Sequence, residues 1–324
     1  MRVSVGLLVL LASLLSACSS GGGGGANLSY TGASTAAVLS VDNAETLALE
    51  SFSSGHNAAG TSDLGALSGV TSHVSSGPDA GLNAARLFRL LHKAAGAAII
   101  TSGGGGQQTL VSLQRSETIS GSCGGSVSNS MTINDATLDI SLTSVFKNYC
   151  EGGVTISGNM SLTLILDAAS VDYGLMTMTF INLRFRADGE SVAMSGNMRF
   201  SYYDSVPVLT TNMLIQDATG KVFKIENMII TMAEGVDGSG DYLDISMEGR
   251  FYDPDYGYVE LVTTTPMRVY YLTDNWPSAG SYVLIGANAA TVTMTADAVG
   301  YTLELDLDGV AGVDDSISGA WPVI

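Results

Sequence analysis

Apolar and polar positions alternate along this chain in three successive regimes. The first is an unbroken apolar run, Val3 to Leu15, preceded by Arg2 and followed by the small residues Ser16 and Ala17. A short basic start, an apolar middle and small residues before a cut are the parts of a secretory signal, which sets residues 1–17 apart from the body. Residues 18–41 follow as a Ser/Gly tether whose five consecutive glycines, Gly21 to Gly25, cannot hold one conformation at acceptable entropic cost.

The second regime, residues 42–100, has helical spacing. Asp42 or Asn43 can cap a helix with Glu45 in its first turn, and Ala44, Leu47, Ala48 and Phe52 fall on one face before Gly55 ends it. A Gly/Ser/Thr-rich stretch through Ser76, carrying His56 and His73, reads as loop. A second helix is expected from Pro78 to about Ala95, with Leu82, Leu87, Leu90, Leu91, Ala94 and Ala98 as its apolar stripe. Arg86, Arg89 and Lys93 lie opposite, the pattern of a solvated face on a helix resting on a sheet. The window Gly81 to Ile100 carries too much charge to span a bilayer.

After a Gly-rich linker, residues 101–108, the period changes from 3.6 to 2. Leu138, Ile140 and Leu142 alternate with Asp139, Ser141 and Thr143; Met160, Leu162 and Leu164 alternate with Ser161 and Thr163; Leu303, Leu305 and Leu307 alternate with Glu304 and Asp306. One buried face and one face of Ser, Thr and acid is the signature of antiparallel sheet. Ile119-Ser120-Gly121, Ile156-Ser157-Gly158-Asn159-Met160 and Met194-Ser195-Gly196-Asn197-Met198 recur at intervals of 37 and 38, with a looser echo at Ile245 to Gly249. That spacing suits two strands and two turns. The expected fold is mainly β: a large antiparallel meander of about a dozen strands over residues 109–324, shaped as a curved sheet, half-barrel or sandwich, with two N-terminal α-helices packed on it.

Charge and cysteines narrow the partners. With 13 basic against 31 acidic residues the formal net charge is −18, which disfavours nucleic acid and anionic headgroups. Besides Cys18 there are two cysteines, Cys123 and Cys150. An exported chain meets an oxidising compartment, so a disulfide is the natural reading against two free thiols or half a metal site, which no CxxC supports. Both lie at glycine-rich strand ends, and a hairpin reversing at Asn134-Asp135 returns them to one edge. A closed loop of about 28 residues contributes roughly 3.5 kcal/mol on the chain-entropy account.

Candidate chemistry is sparse. His56, His73 and His92 all precede the strand region, and no G-x-S-x-G, HExxH or P-loop occurs, so the chain is read as non-enzymatic and without a cofactor. Asp306 and Asp308 have the alternate spacing of a calcium loop, but Val310 stands where a third oxygen is needed, so a structural turn is the better reading. Asp237, Asp241 and Asp244, around Gly238-Ser239-Gly240, make a similar case. Many methionines occupy apolar strand positions, and a curved sheet lined by Met160, Met176, Met178, Met194 and Met198 could hold an acyl chain; the ordinary alternative is a core in which Met replaces Leu.

Two stretches carry a resemblance. Leu15-Ser16-Ala17-Cys18 resembles the bacterial lipobox, which implies a diacylglycerol on the Cys18 thiol and a third acyl chain on the new amino terminus. Three chains at about 0.8 kcal/mol per buried methylene make anchoring effectively permanent. Ser19 rather than Asp after that cysteine implies sorting to the outer membrane, with the body in the periplasm or at the surface. Gly249-Arg250-Phe251-Tyr252-Asp253-Pro254-Asp255-Tyr256-Gly257-Tyr258-Val259 is physically a hairpin turning at Pro254 and Gly257, with aromatic residues on both arms. It resembles a motif of uncharacterised Gram-negative lipoproteins that end in an Asp/Gly-rich tail, here Asp306 to Gly309 and Asp314-Asp315. The resemblance implies no activity. The expected function is a lipid-anchored envelope module that binds a protein or surface partner through its Thr/Ser-rich exposed face, the alternative being a periplasmic carrier of lipid on the Met-lined face.

Overall fold

The computed structural model describes residues 27–60, 113–134, 137, 139–167, 172–187, 189–203, 206–270, 276–310 and 312–321. One helix, α1 (Val41–Gly60), precedes fourteen strands: β1 (Leu113–Ser120), β2 (Ser126–Ile133), β3 (Ile140–Glu151), β4 (Val154–Asp167), β5 (Asp172–Ala187), β6 (Glu190–Ser201), β7 (Val208–Gln216), β8 (Val222–Asp237), β9 (Gly240–Asp253), β10 (Gly257–Tyr270), β11 (Ala279–Ile285), β12 (Thr291–Asp297), β13 (Gly300–Asp306) and β14 (Asp315–Ala320). They form one antiparallel sheet in sequence order, each strand paired with the one before and the one after. The meander is therefore as expected, while a two-sheet sandwich is not what forms. Among the described residues β1 and β14 have a neighbour on one side only, so the sheet is open rather than a closed barrel.

Only one of the two expected helices is found among the described residues; the second, around residues 78–95, lies outside them, as do the signal segment and Cys18. Helix α1 begins as a variation on its expected cap. Asn43 sits in the first turn and its Oδ1 accepts the Ser40 N–H at 2.9 Å, while Nδ2 donates to Val38 O, so it reaches backward instead of capping forward. The helix continues past Gly55 to Gly60. Ala44, Leu47, Ala48 and Phe52, the face set by the spacing, are fully buried. That face meets β8 and β9 on one side and β12 to β14 on the other. A single helix can touch strands so far apart in order only because the sheet curls around it. Tyr282 of β11 closes the floor: its hydroxyl donates to Ala48 O at 2.6 Å and its ring stacks on Phe52 at 6.1 Å.

The recurring Ser-Gly motif is a bending device. Asn148 and Asn182 adopt positive φ (50° and 49°) at register shifts in β3 and β5, each an extra residue bulging out of its strand. Ser157 Oγ donates to Asn148 Oδ1 at 2.9 Å, and Ser195 Oγ accepts the Asn182 N–H at 2.9 Å. The serine on the following strand thus holds the bulged asparagine. The adjacent glycine is needed because backbone approaches closely: a Cβ at Gly158 would stand 2.3 Å from Asn182 O, and one at Gly196 2.1 Å from Asn212 O. The looser echo repeats the arrangement at Gly249, against Asn227 (φ 51°) and Met228.

The hairpin at residues 249–259 forms as expected. Tyr252 pairs with Tyr258 across it with rings 5.2 Å apart, and Asp253 Oδ1 accepts the N–H groups of Asp255 and Tyr256 to close the turn. The segment before α1 straps this hairpin: the Tyr258 N–H donates to Thr35 O, the Ala37 N–H donates to Tyr258 O, and Tyr30 Oη donates to Asp253 O.

Candidate functional site

The outer face of the sheet, opposite the helix and the core, divides into two halves of different chemistry. On β8 to β10 it carries charge and aromatic rings. The Arg268 guanidinium forks onto Asp244, with Nε to Oδ1 and Nη2 to Oδ2 both at 2.8 Å, and reaches Asp237 Oδ2 at 3.2 Å. It lies 3.6 Å above the Tyr242 ring, and Tyr270 Oη donates to the same Asp237 oxygen. Backbone donation by Ser239 and the Tyr270 hydroxyl hold the Asp237 carboxyl below its ordinary range. A shallow cleft of about 410 Å³ opens beside this group, lined by Asp244, Thr265, Arg268, Tyr270 and Ser278. Further along, Arg250 bonds Glu260 and Glu226 and covers the Tyr258 ring at 4.3 Å, while Lys224 bonds Glu226 and covers Tyr252. Hydrogen bonds from Lys224 and then Tyr252 lower the Glu226 carboxyl. Every cation here is already met by carboxylate, so these groups tie strands together.

On β1 to β6 the same face carries rows of hydroxyls over one end of the strands, with the cations Lys147, Arg184 and Arg186 toward the other end and Arg199 on β6. The pairing aligns Ser116, Ser130, Thr143, Ser161 and Thr179 as one row across five strands, ending in Asn197 on β6. One step along the strands, Gln114, Thr132, Ser141, Thr163 and Thr177 form a second row, and Arg199 ends it. Ser116, Ser130, Thr132, Ser141 and Thr143 are exposed, and the β4 and β5 members half-exposed. In a third row the hydroxyls of Thr118 and Ser128 bond each other at 3.1 Å. Sheet geometry spaces neighbours within a row by about 4.8 Å and the rows by about 6.8 Å. The result is a regular grid of hydroxyls in a protein of net charge −18.

One further carboxyl stands out where α1 meets the strapped hairpin. Burial, followed by a hydrogen bond to Asp253 and the charge of that residue, pushes the Glu50 carboxyl up to about 7; Lys221 opposes the rise and Asp217 adds to it. Glu50 Oε2 has no hydrogen-bond partner and Asp253 is buried. Glu50 therefore holds its proton to higher pH than a free carboxyl, beside an Asp253 committed to the turn N–H groups.

Of the sequence-derived candidates, Cys123 and Cys150 are joined in a disulfide with α-carbons 5.0 Å apart. It ties the β1–β2 turn to the end of β3, where the Cys123 N–H donates to Cys150 O and the Cys150 N–H to Gly124 O. Asp306 and Asp308 are joined by Asp314, their oxygens within 4.8 Å of one another. Each carboxylate nevertheless accepts a backbone N–H, from Gly309, Val310 and Leu307 respectively, which is what a turn requires. Asp237 and Asp244 are brought together by Arg268, and Asp241 is not part of that group. Met160, Met176, Met178, Met194 and Met198 are all buried on the core side, as is every methionine after Met1. The clefts of about 410 Å³ and about 320 Å³ on the outer surface are not lined by them. His73, His92, Arg86, Arg89 and Lys93 lie outside the described residues, and no side chain is described for His56.

Sequence reasoning missed the Arg268 and Arg250 groups because their carboxylates come from neighbouring strands; the aromatic clustering around Arg250 was the available signal. It saw hydroxyls on the outer positions, but not that they align in rows across the strands. Searches of protein-family models, curated protein sequences and solved structures find no match for this chain.

Proposed function

We propose that this protein is a lipid-anchored, non-catalytic binding module of the outer membrane, tethered through Cys18 and presenting the hydroxyl-rich outer face of β1 to β6 to a partner in the envelope. The observation that carries the reading is the division of the outer face: one half has its charges tied up in ion pairs between strands, the other displays rows of hydroxyls in register. The Cys123–Cys150 disulfide supports it independently, since such bonds persist in oxidising compartments. The anchor is tested by labelled palmitate: wild type should incorporate it and fractionate with membranes, and Cys18→Ser should do neither. Wild-type protein that stays soluble after export would sink the anchor. The face is tested in intact cells with a photo-crosslinking residue at Thr143, which should give a discrete adduct that the same residue at the exposed Val236 does not.

The alternative, a carrier that holds an acyl chain on the Met-lined face, would need the five named methionines to line a cavity, whereas they are packed in the core where Met ordinarily replaces Leu. A carrier would show co-purified lipid in native mass spectrometry of the purified protein; a bare protein mass removes it.

A further inference from the structure

We infer that the open edge of β1 is an interface for a second copy of this chain, which pairs with it antiparallel about a two-fold axis at Ser116. Strand β1 (Leu113–Ser120) is regular, holds neither proline nor glycine, and among the described residues is paired on one side only, by β2. The other edge, β14, is shorter, opens on Asp315 and contains Gly319, which disfavours an added strand.

Backbone parity is the first argument. The Gly121 N–H donates to Gly125 O across the β1–β2 turn, and the ladder runs from there to Leu113 without a register shift. Alternate residues of an antiparallel strand turn their N–H and C=O to opposite sides. Odd-numbered residues therefore serve β2, while Gln114, Ser116, Thr118 and Ser120 turn their backbone groups to the open edge. A second β1 satisfies these groups only by setting even residues against even residues.

Charge then selects the register. Arg115 and Glu117 lie on the core side of β1, opposite the buried Met131 and Asn129. A single inward charge blunts an edge against pairing. Two of opposite sign, two residues apart, instead complement themselves under a two-fold axis. With Ser116 opposite Ser116 of the second copy, each Arg115 faces a Glu117 and each Gln114 a Thr118. Sliding the second copy by two residues in either direction sets Arg115 against Arg115 or Glu117 against Glu117, and like charges directly opposite destabilise. Within one chain the carboxylate is left wanting: Arg115 Nη2 stands 4.0 Å from Glu117 Oε2, and that oxygen is buried without a hydrogen-bond partner. A guanidinium from across the edge supplies one. Repulsion between two chains of net charge −18 is screened over about 8 Å at physiological salt, whereas the edge pairs are in contact.

The test is disulfide trapping in the purified full-length protein, in detergent, carrying Ser116→Cys and treated with a mild oxidant. Paired α-carbons in this register stand about 5.5 Å apart, within disulfide reach, so a species of twice the mass is expected on non-reducing gels and should vanish on reduction. Gln114→Cys and Thr118→Cys should crosslink with each other in a mixture and neither with itself. Ser318→Cys, on β14, should give no dimer. In the Ser116→Cys background, Arg115→Glu and Glu117→Arg should each lower the crosslinked fraction at least about tenfold. Mixing those two variants should restore it, a rescue that misfolding would not allow. No dimer from Ser116→Cys, an equal yield from Ser318→Cys, or self-crosslinking by Gln114→Cys would each overturn the inference. So would charge variants of unchanged circular dichroism that crosslink alone as well as the parent or stay unlinked when mixed.

Discussion

Replacing Glu50 by Gln isolates the proton held between α1 and the β9–β10 hairpin. The Glu50 carboxyl is raised from 4.5 to about 7, chiefly by burial, while Asp253 opposite it stays committed to the Asp255 and Tyr256 N–H groups. An acid whose pKa is higher folded than unfolded keeps its proton in the folded state over the interval between the two values. Below about 4.5 both states are protonated and nothing is lost; from there to about 7 the unfolded state ionises alone and stability falls; above about 7 the full deficit is present. Allowing for partial solvent access at the helix edge, that deficit is roughly 2 kcal/mol. Glutamine reproduces the protonated acid, since its amide can donate to Asp253 and carries no charge. Urea unfolding followed by the fluorescence of Trp276 and Trp321 at pH 4, 5, 6, 7 and 8 should show the two proteins about equally stable at pH 4. Glu50→Gln should be the more stable by about 2 kcal/mol at pH 8. The difference between the proteins carries the test, because other groups titrate in the same interval. A difference that does not change between pH 5 and pH 8 would refute the raised Glu50 carboxyl.

The remaining expectations concern the frame. Gly196→Ala must place a methyl 2.1 Å from Asn212 O at φ 139°, so a loss of about 3 kcal/mol in urea unfolding is expected, with Gly158→Ala alike; near-neutral values would show that the bulges relax freely. Ser195→Ala, which frees the Asn182 N–H, should cost about 1 kcal/mol by the same measurement. Reducing the Cys123–Cys150 bond, or Cys123→Ser with Cys150→Ser, should lower stability by roughly 3.5 kcal/mol, and free-thiol titration of the native protein should find neither residue. Tyr282→Phe removes the donor to Ala48 O from a fully buried position and should lower stability by about 1–2 kcal/mol without altering the circular dichroism.

The sequence alone determined what a strand or helix decides for itself. Period-2 alternation set which of Leu142 and Thr143 turns inward, because side chains of a pleated strand point to opposite faces whatever its neighbours are. Helical spacing set Ala44, Leu47, Ala48 and Phe52 as the buried face before any partner was known. The cysteines could be paired because glycine-rich strand ends and one hairpin brought them together locally. What only tertiary structure decided was pairing across strands. The Ser-Gly repeat was legible as a repeat, yet its meaning lies in Asn148 and Asn182, which belong to the preceding strands. One open sheet rather than two stacked ones follows from the order of pairing, and its curl around α1 from bulges that register alone reveals. Arg268 finds Asp244 and Asp237 across strand boundaries, and the hydroxyls of five strands line up only once every register is set. Alternation is a property of one strand and costs nothing to read; alignment depends on all the strands at once, since a slip of one residue would turn every hydroxyl of that strand toward the core.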